Sequence, residues 1–338
     1  MNRPIVSVLT SVHNGAPFLP RAIESILKQT LFAFEFILID DASTDTSLAI
    51  IRHWAQRDER IVPVVNETNL GLTRSLNRGI GLARGRYIAR QDADDWSHPE
   101  RLATQVRFLE AHPDIGLLGS AAWLVDPQEG REPRAVIPPL NHTELCWWIL
   151  CLNPFFHSSV MVDRHLLQTH PYDESMRYGQ DFELWGRLLQ VTRGANLAEP
   201  LVSIHRHDDR ISVKHAIQQR QLAHGVVHKH VRRWLPDACW DEETIRQVRR
   251  IMASPWPTPP ESSRSWEDVL QLFHLFSRQD HLDRQVMATI ERQLLKHLLL
   301  SLFSSPRLRP EWTLLQAMIR RHPRTLVELA WKYLIKSM

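Results

Sequence analysis

Along the front of the chain, hydrophobic positions alternate between two periods. Short continuous apolar runs at Ile5–Thr10, Phe34–Ile39, Ile61–Val65, Tyr87–Arg90 and Ile115–Gly119 predict buried strands. Between them the apolar residues recur at helical spacing: Leu19, Ala22/Ile23 and Ile26/Leu27, then Leu48, Ile51 and Trp54/Ala55, then Leu72, Leu76 and Ile80. Thr44 or Asp45 is placed to cap the second helix, and Gly85 to follow the third. After the fourth strand, Pro99 and Glu100 open a helix that carries Leu102, Val106 and Leu109 on one face. Strands separated by amphipathic helices predict an α/β fold, a mostly parallel sheet flanked by helices.

The period changes from about Lys214. Leu222, Val226/Val227 and Val231 mark a helix, and residues 253–263 form a Pro/Ser-rich connector. Val269, Leu272/Phe273 and Phe276, then Val286, Ile290 and Leu294, continue the helical pattern after it. A last helix carries Trp312, Leu315 and Met318/Ile319, with Leu326 to Leu334 beyond Pro323. The expected organisation is an α/β domain over 1–212 and a helical C-terminal extension over 213–338. With 338 residues, 43% hydrophobic and 23% charged, the chain can bury a sizeable core.

Charge separates the same two parts. From Lys214 onward there are 20 Lys and Arg against 12 Asp and Glu, a net of +8, which leaves a net of −5 before it. A basic helical rear is either a set of solvated helix faces or a surface for anionic lipid headgroups, with Arg320, Arg321, Arg324, Lys332 and Lys336 on its cationic side. Cys146, Cys151 and Cys239 have no metal spacing and cannot all pair, which favours a reducing compartment. The N-terminal stretch reads as a strand and lacks signal-peptide anatomy, and the longest apolar run, Leu298 to Phe303, is far too short to span a bilayer. The expected location is cytoplasmic, at most peripheral to a membrane.

Polar residues gather where the strands end. Ser11, His13 and Asn14 follow the first, Asp40 and Asp41 the second, and Asp92, Asp94 and Asp95 the fourth. In open α/β sheets, ligands bind at the carboxyl ends of the strands. Carboxylates as close as Asp92, Asp94 and Asp95 repel one another unless a cation or ligand sits among them. A calcium loop would need the further ligand and glycine spacing of an EF-hand, which this stretch lacks. Read alone, residues 40–45 are also a turn with a helix cap.

These residues carry a resemblance. Val6-Ser-Val-Leu-Thr-Ser-Val-His-Asn14 followed by Ala22-Ile-Glu-Ser-Ile-Leu-Lys-Gln29 resembles the opening of family 2 glycosyltransferases, the inverting enzymes of the GT-A (Rossmann-like) fold that make bacterial polysaccharide and lipopolysaccharide. Ile39-Asp-Asp-Ala-Ser-Thr-Asp45, Asn69-Leu-Gly-Leu and Leu76-Asn-Arg-Gly-Ile80 are similar to the same family, and Tyr87 to Leu102 resembles its Asp-x-Asp region. Gly179-Gln-Asp-Phe-Glu-Leu-Trp185 is similar to its Glu-Asp segment. The likeness is collinear over about the first 210 residues.

The resemblance implies a site. Ser11, His13, Asp41 and Asp92 would hold the nucleotide, and Asp94 the divalent metal, Mg2+ or Mn2+, on its diphosphate. Asp181 would be the general base; Gln180 stands where many members have Glu and cannot take that role. His207 matches a family histidine that approaches metal or diphosphate, with Ser212 after it. On the acceptor side stand His157, in Asn153-Pro-Phe-Phe-His157, and Trp148; a structural histidine and a core tryptophan are the alternatives. The implied partners are a nucleotide-sugar donor and a glycan or lipid-linked acceptor, with no nucleic acid.

The chemistry suits these residue types. A cation on carboxylate and phosphate oxygens neutralises the charge that develops on a departing nucleoside diphosphate. A carboxylate accepting the proton of the attacking hydroxyl contributes about 10²–10⁴-fold. One base suffices for a single displacement with inversion. Two other classes compete. A nucleotidyltransferase would carry a Gly-rich basic loop after its first strand, which Ser11-Val-His-Asn14 is not, and a non-catalytic carbohydrate-binding protein would have no use for Asp181.

Overall fold

Val6–Val12 forms β1 and Phe34–Asp40 forms β2; six of seven residues in the first and all seven in the second are buried. Burial on both faces is what a central parallel strand requires, and the apolar composition of these runs follows from it. Ile61–Val65, β3, alternates buried and open positions, as an edge strand does. Tyr87–Arg90, β4, completes a parallel set in which β1 pairs with both β2 and β4 and β2 pairs with β3. The structure is a computed structural model and describes residues 3–126, 132–207, 210, 216–238, 240–253, 264–279, 282–304 and 320.

The helices sit where the periodicity placed them. Leu19–Leu27 (α1) buries Leu19, Ala22, Ile23 and Ile26, and Arg101–Ala111 (α4) buries Leu102, Val106 and Leu109. Ser47–Ala55 forms α2 and Leu72–Leu82 forms α3. The latter lies so close to β1 that a Cβ on Gly79 would stand 2.2 Å from a Leu9 methyl. Gly85 lies against β1 backbone: a Cβ there would be 2.5 Å from the Ser7 backbone nitrogen. Thr46 is the residue that precedes α2, without a side-chain cap bond; Asp45 instead accepts from the Ser47 and Ala16 backbone N–H groups at 2.9 and 3.0 Å.

Beyond β4 the sheet becomes mixed. Trp96–Ser97 is β5, Ile115–Val125 β6, Arg134–Val136 β7, Met161–Asp163 β8 and Arg193–His205 β9. Their order is β3-β2-β1-β4-β8-β6-β9-β5, with β7 on β6. Strand β8 runs antiparallel to both β4 and β6, and β5 antiparallel to β9, whereas β6 and β9 are parallel with register shifts. The strand expected over 115–119 thus continues to Val125 because β9 pairs along that length. Three further helices belong to this half: His142–Trp148 (α5), Arg164–Thr169 (α6) and Gln180–Leu188 (α7).

The chain divides into two compact units, Met1–Leu145 with Asn153–Leu222, and Cys146–Leu152 with Ala223–Met338. The second contains Ala216–Trp234 (α8, from residue 223), Glu242–Ala253 (α9), Arg264–Ser277 (α10) and Arg284–Ser304 (α11). Val226, Val227, Val231, Val269, Leu272, Phe276, Ile290 and Leu294 are buried in it, and Trp147 joins them, 5.4 Å from Phe276 ring to ring. Leu222, read as part of that apolar face, is 42% exposed, at the point where the two units divide. Cys146 and Cys151 are buried. Residues 254–263 of the connector, Cys239, and the last helix from Trp312 to Leu334, apart from the exposed Arg320, lie outside the described residues. No described helix is long and apolar enough to cross a membrane.

Candidate active site

The turn that leaves β4 is built on a buried arginine. Arg101, wholly buried at the start of α4, donates to Gln91 Oε1 at 3.0 Å, Ser97 Oγ at 2.8 Å and the Arg90 carbonyl at 2.8 Å. That framework aims three carboxylates at one volume: ligand atoms of Asp92, Asp94 and Asp95 all lie within 4.8 Å of one another. Ser158, from the 3₁₀ turn before β8, places its hydroxyl 2.7 Å from Asp92 Oδ2 and 2.5 Å from Asp95 Oδ2, sharing one proton between them. Arg90 pairs with Asp92. Arg210 donates to both oxygens of Asp95 at 3.0 and 3.1 Å, and also stands 3.9 Å from Asp94 and 4.0 Å from Asp92.

Arg90 and Arg210 pair directly with these carboxylates, and the buried guanidinium of Arg101 acts on Asp95 and Asp92 as well. The effect on the carboxylates is uneven. Burial pushes Asp92 up, but Arg90, His157 and Arg210, with the Ser158 hydrogen bond, outweigh it and hold the carboxyl well below its usual range. Burial also pushes Asp95 up, to about 7, against the pull of Arg210 and with the neighbouring charges of Asp94 and Asp92 reinforcing it. Asp95 is 1% exposed and held by Ser158, Arg210 and the His205 backbone N–H; Asp92 and Asp94 keep faces toward solvent.

The donor set fits a hard divalent cation. Asp94 Oδ2 lies 3.0 Å from His207 Nε2, so a carboxylate and an imidazole converge. His207 stacks on Phe18 with ring centres 4.2 Å apart, which holds the imidazole in place. Its buried Nδ1 has no partner among the described residues. Carboxylate oxygens with one imidazole suit Mg2+ or Mn2+, the latter accepting nitrogen more readily. Asp92, Asp94 and His207 are the residues that would hold such an ion.

A fourth candidate carboxylate comes from another element. Gly179, at φ +71°, turns the chain into α7, and Asp181 lies in its first turn, where the helix dipole favours a negative charge. Asn153 Nδ2 donates to Asp181 Oδ2 at 2.7 Å. His157 bonds the Tyr172 hydroxyl at 2.9 Å and meets Trp185 edge to face at 6.0 Å. Burial, aided by Arg90, pushes His157 down to about 4, and Asp181 and Asp92 both pull the other way. One neutral imidazole therefore lies within electrostatic reach of Asp181 and of Asp92.

The ends of β1 and β2 form a separate polar lip. Asn14, at φ +54°, accepts from the Thr44 and Asp45 backbone N–H groups at 2.8 and 3.3 Å, tying the two strand ends together. His13 is exposed, with Nδ1 2.9 Å from the Asp41 carbonyl, and Ser11 is half-buried. Asp41 is buried and fully engaged: it accepts from Asn66 Nδ2 at 2.7 Å and from the Leu70 and Gly71 N–H groups at 2.8 and 2.9 Å. Its carboxylate shapes the 66–71 loop beside the lip.

Trp148 belongs to the other unit, where it lines a cavity of about 250 Å³ with Trp147, Ile251, Met252, Ile290 and Leu294. Ser212 lies outside the described residues. Asn153, Ser158 and Arg210 were not singled out from sequence, although the first two flank His157 and the third lies between His207 and Ser212. Their signal was position inside stretches already noted for another residue.

Residues 7–144 match the family described as "Glycosyl transferase family 2". The uncharacterized glycosyltransferase MJ1057 of Methanocaldococcus jannaschii is 32% identical over 225 residues, covering 66% of this chain and 77% of that protein. The amylovoran biosynthesis glycosyltransferase AmsE of Erwinia amylovora is 31% identical over 210 residues, covering 61% and 78%. Among solved structures, S. aureus TarS 1–349 in complex with UDP-GlcNAc superposes with a TM-score of 0.57 at 15% identity, covering 87% of this chain and 86% of that one. The mannosyltransferase PcManGT from Pyrobaculum calidifontis, in complex with GDP-Man and Mn2+, gives 0.52 at 16% identity, covering 98% and 88%. At those identities the structural likeness is one of fold. The chain belongs to glycosyltransferase family 2 and has its GT-A fold.

Proposed function

We propose that this glycosyltransferase moves a sugar from a nucleotide-sugar donor to an acceptor hydroxyl with inversion, in the synthesis of a cell-surface polysaccharide or glycolipid. The observation that carries the reading is that Asp92, of the acidic triad at the sheet's carboxyl edge, and the separate carboxylate of Asp181 both act electrostatically on one imidazole, that of His157. The polar lip at Ser11, His13 and Asn14 would receive the nucleoside. A bound Mg2+ or Mn2+ on Asp94, Asp92 and His207 would neutralise charge on the diphosphate. Arg210 adds fixed positive charge over the same volume.

Asp181 takes the proton of the acceptor hydroxyl as its oxygen attacks the anomeric carbon. The bond to the diphosphate breaks from the opposite side, and its electron pair leaves with the nucleoside diphosphate. Supporting the donor class, the superposed neighbours carry UDP-GlcNAc and GDP-Man. AmsE, by its name a polysaccharide-biosynthesis enzyme, supports the acceptor class. The net charge of +8 from Lys214 onward supports peripheral contact with an anionic membrane face, where a lipid-linked acceptor would be met. A panel of UDP- and GDP-sugars, each with and without Mn2+, tests the reading by thermal stabilisation. At least one is expected to raise Tm, and more strongly with Mn2+; no stabilisation by any of them would overturn it.

A further inference from the structure

Asn153 and Asp181 lie on different elements, and nothing in the periodicity of either links them. The structure joins them through a 2.7 Å hydrogen bond from the Asn153 amide to Asp181 Oδ2. The orientation of that amide is determined by its other end. Asn153 Oδ1 accepts from the Phe155 backbone N–H at 3.2 Å, and a backbone N–H can only donate. The NH2 group must therefore be the end that faces Asp181, whose Oδ2 accepts the bond.

The segment carrying Asn153 is itself held from several sides. Asn196, buried on β9, donates to the Pro154 carbonyl at 3.0 Å and to the Pro139 carbonyl at 2.7 Å. Phe155 packs edge to face on Trp185 at 6.0 Å, and Trp185 stands one turn after Asp181 on α7. Pro154 restricts Asn153 toward extended backbone. Two attachments to α7, a hydrogen bond at Asp181 and a ring contact at Trp185, thus set the height and direction of the Asp181 carboxylate. One of its oxygens is occupied by Asn153, which leaves Oδ1 to take a proton.

We infer that Asn153 is the positioning residue of the base. The inference rests on the reading of Asp181 as that base. It orients one carboxylate oxygen toward the acceptor hydroxyl by binding the other, and contacts no substrate itself.

The test uses the full chain and a double-mutant cycle. Nucleoside diphosphate release is followed for wild type, Asn153→Ala, Asp181→Asn and the double variant, with UDP-glucose, UDP-GlcNAc and GDP-mannose as donors. Asn153→Ala is expected to lower kcat about 10- to 100-fold, as misplacement of a reacting group does. KM for the donor and the binding of UDP or GDP should stay within about twofold, because the nucleotide lip is untouched. In the Asp181→Asn background the same substitution should have no further effect on kcat. Equal losses in both backgrounds, or a rise in donor KM with kcat unchanged, would overturn the inference. If Asp181→Asn keeps wild-type turnover, the base reading fails. If Asp181→Asn loses turnover and Asn153→Ala is not impaired, the inference alone fails.

Discussion

At the scale of single residues, the site is a set of carboxylates given different work by their neighbours. Asp95 is buried and held, Asp92 is kept ionised by Arg90, and Asp94 faces His207. Asp94→Ala is therefore expected to abolish both sugar transfer and the extra thermal stabilisation that Mn2+ gives a bound nucleoside diphosphate. Retained wild-type turnover in EDTA would sink the metal assignment. Asp181→Asn keeps the shape of the side chain and removes only the proton acceptor. It should lose turnover about 10²–10⁴-fold yet bind nucleoside diphosphate as wild type does, measured by calorimetry; lost binding in a folded variant would point to a structural role. His157 gives a pH signature. Its pKa falls from 6.5 to about 4 on folding, chiefly through burial, so below pH 6.5 the unfolded chain binds a proton that the folded chain refuses. Stability contributed by neutral His157 is full above that pH and declines as pH falls through the window to about 4. Denaturant unfolding of His157→Gln should show a shallower loss across the same window.

At the scale of elements, one ionic cluster ties β1, β2 and the end of α3 together on the side of the sheet away from the site. Buried Glu35 accepts from Ser7 Oγ at 2.6 Å and from the Arg84 N–H and Nε at 2.7 Å each, and Ser7 Oγ accepts from the Gly85 N–H at 2.9 Å. Burial pushes Glu35 up, but the Ser7 and Arg84 hydrogen bonds and the Arg84 charge outweigh it, and the carboxyl is held below its ordinary value of 4.5. The unfolded chain therefore binds the proton first as pH falls. The cluster's contribution is present above about pH 4.5 and is lost below it. Glu35→Gln should be less stable than wild type at pH 7, and the difference should shrink toward pH 3 in urea titrations. Gly85→Ala tests the close approach beside it. A Cβ there meets β1 backbone, which cannot swing aside as a side-chain tip could, so a loss of about 2–3 kcal/mol is expected.

At the scale of the whole molecule, the charge asymmetry predicts a salt-dependent surface. Each basic residue near an anionic leaflet contributes about 1 kcal/mol, so four or five would hold the protein there reversibly. Screening shortens to about 3 Å at 1 M salt, and binding should collapse there. Sedimentation with anionic and with neutral vesicles, at low and at high salt, reads this directly. Pelleting only with anionic vesicles at low salt is expected; equal and negligible pelleting in all four conditions would leave the rear segment as a plain helical bundle.

Much of this protein was legible along the chain because its information is local. The parallel strands β1, β2 and β4 are short apolar runs buried on both faces, and α1 and α4 bury the positions their periodicity marked. The residues at the strand ends could be placed because a sheet carries its chemistry at its carboxyl edge. What escaped was made by contacts between distant segments. Three-residue β8 is too short to show a period, and its antiparallel insertion between β4 and β6 depends on pairing alone. Arg210 reaches Asp95 across 115 positions, Ser158 reaches it across 63, and Asn153 finds Asp181 across 28. The resemblance gave Asp41 to the nucleotide, yet its oxygens accept from Asn66, Leu70 and Gly71 of the following loop. Spacing determines which residues share a face of one element. Which carboxylate is buried, paired or left open depends on the charges and hydrogen-bond donors that other elements bring to it, and only the tertiary structure supplies those.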